Sequence, residues 1–135
     1  VVQDIKLWLE HLGDWSKLRL PGLMHFRFRG TGIDDRALAE IIRGCPKLRI
    51  INAPRADFTD VGLAELKQLP DLAQLRFGSP RVTDAGMKTL AELPALRRLH
   101  LIDVPITDAG LAELAKIERL EVGGGGPFAA RRSKR

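Results

Sequence analysis

Cysteine is nearly missing from this chain: Cys45 stands alone among 135 residues. One thiol excludes a disulfide framework within the chain, and with it the small secreted scaffolds that depend on such bridges. It points to a reducing compartment, so the expected location is cytoplasmic. Long apolar runs are missing too. None approaches the ~18 residues of a membrane span, and no membrane partner is expected. Acidic residues are outnumbered by Lys and Arg, 17 to 22. However, Arg131, Arg132, Lys134 and Arg135 supply four of the five excess positive charges. The rest of the chain is close to neutral, which gives no global case for nucleic acid. The basic run at the end could contact phosphate or serve in nuclear import, but a solvated tail is the simpler reading. At 44% hydrophobic and 29% charged residues, the composition fits a single small globular domain.

What is present is a period. Thr59-Asp60-Val61-Gly62, Thr83-Asp84-Ala85-Gly86 and Thr107-Asp108-Ala109-Gly110 recur at intervals of 24 residues. A fixed period of this size marks one supersecondary unit copied along the chain, each copy too small to bury its own apolar face. Upstream of each Thr-Asp lie spaced apolar residues: Leu72, Leu75 and Phe77, then Leu96, Leu99 and Leu101. Earlier copies read Leu48, Ile51 and Ala53, and Leu23, Phe26 and Phe28; a proline stands two residues before each copy, at Pro21, Pro46, Pro70 and Pro94. An apolar plug follows the strand at Ile33, Phe58, Val82 and Ile106, and the first interval is 25, with the extra residue near Arg43-Gly44.

The alternation Leu75-x-Phe77 predicts a short strand with one buried face. Thr59, Thr83 and Thr107 stand where a helix needs an N-cap hydroxyl, with an Asp just inside to favour the positive dipole end. Asp34 takes the cap position in the first copy. Leu63, Leu66 and Leu69, like Leu111, Leu114 and Ile117, predict one apolar helical stripe. The glycine after Thr-Asp-x is unfavourable in a helix by about 1 kcal/mol, so its recurrence predicts close packing on a neighbouring unit.

From about Leu20 to Val122 these features resemble leucine-rich-repeat proteins. Val82-Thr83-Asp84-Ala85-Gly86-Met87 and Ile106-Thr107-Asp108-Ala109-Gly110-Leu111 look like the I-T-D-x-G-L class of bacterial cytoplasmic repeat proteins and of the receptor arms of F-box proteins. Cys45, near Pro46 and Leu48, resembles the cysteine-containing subtype, but one copy alone carries it and the plain 24-residue variety fits better. The resemblance implies an α/β fold, a short right-handed β-α solenoid with a parallel concave sheet of four to five strands. Its expected function is non-catalytic protein binding on that face; the alternative is the substrate-recognition arm of a ubiquitin ligase or effector protein.

If the strands line one face, their outward positions are Arg27, Asn52, Arg76 and His100 in one column. His25, Ile50, Gln74 and Arg98 form the next, with Met24, Arg49, Ala73 and Arg97 before them and Arg29, Pro54, Gly78 and Ile102 flanking. These columns are rich in Arg and His and nearly free of carboxylates, with Asp103 at the rim. Arginine is enriched at interfaces and grips carboxylates in bidentate fashion. The candidate partner-binding residues are therefore His25, Arg27, Arg29, Asn52, Gln74, Arg76, Arg98 and His100, and the expected partner is an acidic or phosphorylated protein segment.

Catalysis, metal binding and cofactors are not expected. Cys45 falls on a helix-to-strand turn, a place for core packing. His11 lies in the cap region, while His25 and His100 are three strands apart, roughly 14 Å by strand spacing. The Gly123–Gly126 run neither follows a phosphate-loop pattern nor precedes a helix. Residues 1–20, with Ile5, Trp8, Leu9 and Leu12 at helical spacing, a stop at Gly13, and then Trp15, Leu18 and Leu20, are expected to form an N-terminal helical cap over the open edge. Leu120 begins a fifth copy that is expected to end at Val122. Residues 123–135 then follow as a flexible glycine linker and basic tail.

Overall fold

The computed structural model describes residues 15–117 and 120–125. Strands β1 (His25–Arg27), β2 (Ile50–Ala53), β3 (Gln74–Phe77), β4 (Arg98–Ile102) and β5 (Glu121–Gly125) form one sheet in chain order. Every neighbouring pair is parallel. Helices α1 (Asp35–Gly44), α2 (Asp60–Leu63), α3 (Asp84–Ala91) and α4 (Asp108–Leu114) follow the first four strands in turn. The fold is α/β with a parallel sheet. Leu75 faces Ile51 on one side and Leu99 on the other, so from β2 to β4 the 24-residue period is also the register of the ladder; the step is 25 from β1 to β2 and 23 from β4 to β5.

Alternation within each strand decides what is buried. Phe26, Ile51, Leu75 and Leu99 form one buried column, and Ala53, Phe77 and Leu101 a second. Leu23, Leu48, Leu72, Leu96 and Leu120 are buried ahead of the strands, and the plugs Ile33, Phe58 and Val82 behind them. Each such side chain contributes about 1.5–3 kcal/mol on burial, but only because the adjacent unit supplies the other wall.

The second helical segment departs from the expected stripe. After α2 the chain tightens into a 3-10 helix over Ala64–Gln68. Leu63, Leu66 and Leu69 are all buried, and a spacing of three is the period of that tighter helix. The apolar pattern therefore fits the observed geometry better than an α-helix.

The recurrent Thr, Asp and Gly join consecutive units. Thr59, Thr83 and Thr107 cap their helices as expected, accepting from the N–H of Val61, Ala85 and Ala109. The aspartates do more than favour a dipole. Asp35 accepts from the Thr59 N–H at 2.6 Å, from the Thr59 hydroxyl at 2.7 Å and from the Gly62 N–H at 3.1 Å. Asp60 binds the N–H and hydroxyl of Thr83 in the same way, and Asp84 those of Thr107. A hydroxyl can donate to one group while accepting from another; an ionised Asp at the same cap could not donate. Asp34, which accepts from the Ala37 N–H, has no such carboxylate to serve among the described residues. The glycines are needed for clearance: a Cβ on Gly62, Gly86 or Gly110 would collide with the carboxylate of Asp35, Asp60 or Asp84.

The two ends differ from expectation in what can be described. Trp15–Lys17 forms a 3-10 turn, and the Trp15 ring meets Phe26 and Phe28 edge-on at 5.9 and 5.0 Å. Leu18 is fully buried, and the Leu20 N–H donates to the Gly44 carbonyl at 3.0 Å, tying this segment to the end of α1. The helix expected around Ile5–Leu12, with Trp8 and His11, lies outside the described residues. At the other end the expected boundary at Val122 falls inside a strand. Gly123, Gly124 and Gly125 pair with His100, Leu101 and Ile102. A parallel ladder needs only backbone N–H and C=O groups, which glycine supplies; what glycine withholds is side-chain packing. Residues 126–135, including the basic run, lie outside the described residues. Among the described residues no helix is long and apolar enough to cross a membrane.

Candidate functional site

The strand positions that alternate with the core columns share the opposite face. One row runs His25, Ile50, Gln74, Arg98 and Glu121; the other runs Arg27, Asn52, Arg76, His100 and Gly123. Between them lies an open depression of about 390 Å³. Of the expected partner-binding residues, His25, Asn52, Gln74, Arg76, Arg98 and His100 line it. Arg27 and Arg29 are exposed but not part of its wall. Arg27 belongs to β1, at the edge of the sheet, and Arg29 follows that strand's end.

Five lining residues were not among the candidates: Ile51, Leu75 and Leu99 of the buried column, and Ile50 and Glu121 of the outward row. Ile50 places an apolar, half-buried group in the row between His25 and Gln74. Glu121 brings a carboxylate into a row expected to be almost free of them, and its Oε2 lies 3.5 Å from Arg98 Nε. The repeat does not signal Glu121: Arg98 stands two residues after Leu96, so a 24-residue step from Leu96 to Leu120 would place Val122 in this row, whereas the step from β4 to β5 is 23 residues and brings Glu121 opposite Arg98. Asp103, at the rim, adopts a positive φ of 54° just after β4, a conformation that aspartate tolerates better than most residues.

The arginines are held differently. Arg76 Nη1 donates to Asn52 Oδ1 at 3.0 Å, which orders the guanidinium with a neutral partner and leaves its other donors available. Arg98 instead faces the carboxylate of Glu121. Beside Arg76, the His100 imidazole is held below its ordinary range, first by partial burial and then by the Arg76 charge. It is therefore neutral at neutral pH.

Other chemistry-bearing residues are dispersed. His25 and His100 stand on β1 and β4 with two strands between them. Among the described residues no group of three or more His, Cys, Asp or Glu is placed to hold a metal ion. Cys45 caps the end of α1 and is fully buried. Burial pushes its thiol up, against an opposing backbone hydrogen bond from Leu20, so the reactive thiolate is disfavoured. A scan against models of known protein families gives no match to this chain, and a search of curated proteins gives none either.

Proposed function

We propose that the chain is a short leucine-rich-repeat solenoid, cytoplasmic and non-catalytic, whose strand face binds an acidic or phosphorylated protein segment. The observation that carries this reading is Arg76: a guanidinium fixed by Asn52, in a row without carboxylates, at the wall of an open depression. An ordered arginine loses little further side-chain freedom when it grips an anion, and a planar fork matches a carboxylate in bidentate geometry. Ile50 adds apolar contact, and Gln74 and His100 add polar groups for orientation. Stacked strands about 4.8 Å apart present these groups in rows that an extended segment could follow across the sheet.

The test is charge reversal. A variant carrying Arg27→Glu, Arg76→Glu and Arg98→Glu should bind a fluorescein-labelled peptide of five consecutive glutamates at least tenfold more weakly than wild type, with an unchanged circular dichroism spectrum. Unaltered affinity in a folded variant would remove the strand face from the binding reaction.

A further inference from the structure

Arg76 and Arg98 both border the depression, yet only one is occupied by a carboxylate. Arg98 and Glu121 are register partners on β4 and β5, 3.5 Å apart, with side chains 63% and 74% exposed. Arg76 is bound to the amide oxygen of Asn52 on β2, and among the described residues no carboxylate pairs with it. The two contacts draw the guanidinium groups toward opposite sides of the sheet, Arg76 toward β2 and Arg98 toward β5.

A glutamate on the neighbouring strand offers Arg98 the same functional group that an acidic segment would bring. Exposed pairs of this kind are worth little and exchange readily, because water screens them and both side chains lose freedom in forming them. We infer that Glu121 is a built-in competitor on this face: an acidic segment engages Arg76 directly and gains Arg98 only by displacing Glu121. The inference rests on the proposed acidic-segment site. It deepens that reading by setting the order in which the two arginines are used and by naming the group that weakens binding. A segment with a single anionic side chain would settle on Arg76; one with several would draw Arg98 away from β5.

The experiment uses the full chain, the labelled five-glutamate peptide and its five-glutamine counterpart, with anisotropy read at low and at physiological ionic strength. Glu121→Gln should tighten glutamate-peptide binding about two- to fivefold, the range expected for releasing an exposed pair. The glutamine peptide should not respond. Glu113→Gln makes the same change in net charge on α4, where Glu113 pairs with Lys116, and should shift affinity by less than about 1.5-fold because screening confines the effect of a distant charge. In an Arg98→Gln background Glu121→Gln should have no further effect, since coupling requires both partners. Tightening that persists without Arg98, equals that of Glu113→Gln, or is absent would overturn the competitor role. If wild type binds the glutamate peptide and Arg76→Gln weakens it, but Glu121→Gln changes nothing, the competitor role fails and the binding face stands. If neither wild type nor Glu121→Gln binds the peptide, both fail.

Discussion

Replacing Gly86 with alanine sets local propensity against packing between units. Gly86 lies in the first turn of α3, and helix propensity alone favours alanine there by about 1 kcal/mol. A Cβ built on Gly86 would sit 2.5 Å from Asp60 Oδ1, 2.8 Å from Leu63 Cδ2 and 3.0 Å from Val82 Cγ1. The leucine tip can give way; the carboxylate has less freedom. Asp60 Oδ1 accepts from the Thr83 N–H at 2.9 Å, and the other oxygen accepts from the Thr83 hydroxyl. Relief therefore means surrendering those bonds, at about 0.5–1.5 kcal/mol each, or pushing α3 off its neighbour, an overpacking cost of about 1–3 kcal/mol. After the propensity gain, Gly86→Ala should destabilise the chain by up to about 2 kcal/mol. Urea titration followed by circular dichroism measures this as a lower midpoint at unchanged slope. In an Asp60→Ala background the closest atom is gone, and the same substitution should be neutral or mildly stabilising. Stabilisation in the wild-type background, or an equal penalty in both, would refute the idea that this glycine exists to admit the preceding unit's aspartate.

Leu75→Ala in the buried strand column, where Leu75 is 2% exposed, should cost about 2–5 kcal/mol in the same titration. Acid should act through Asp84, whose carboxyl is held below its ordinary range by the Thr107 hydroxyl, the Thr107 N–H and the Gly110 N–H, against an opposing effect of burial. A carboxyl lowered in the folded state contributes stability above its unfolded pKa and loses it as pH falls through the folded value. Asp84→Asn should therefore flatten the decline in urea midpoint below about pH 4. Finally, His100 faces Arg76 on β3 and lies among Arg98 on its own strand and Glu121 on β5. A bound anion favours its charged form, so affinity for the five-glutamate peptide should rise as pH is lowered from 8 to 6. His100→Gln should weaken that dependence, with His25 the other histidine lining the depression.

The sheet was legible because its register is the sequence period: one strand position could be counted from Ile51 to Leu75 to Leu99, and pairing followed. The N-caps were legible for the same reason. Reading one unit at a time concealed the role of the aspartates, because the partners of Asp60 lie in the next copy, at Thr83. The 23- or 24-residue step from each Asp to the following Thr was the available clue. Composition misled at Gly123–Gly125, where backbone pairing along β4 sustains a strand that side-chain propensity would not. Glu121 was hidden by register: the step from β4 to β5 is 23 residues, which brings Glu121 opposite Arg98 where the period would place Val122. Most of the binding rows could be read from alternation alone, whereas the Asn52 contact that orders Arg76 depends on rotamers that the sequence does not specify.

The central claim is that the strand face, and not the helical side, receives an acidic segment. Amide and side-chain NMR shifts recorded while unlabelled five-glutamate peptide is added test this most directly. The account predicts perturbations concentrated at His25, Asn52, Gln74, Arg76, Arg98 and His100, with those of Arg76 developing at lower peptide concentration than those of Arg98. Perturbations gathered on α1–α4 instead, or none at saturating peptide, would contradict it.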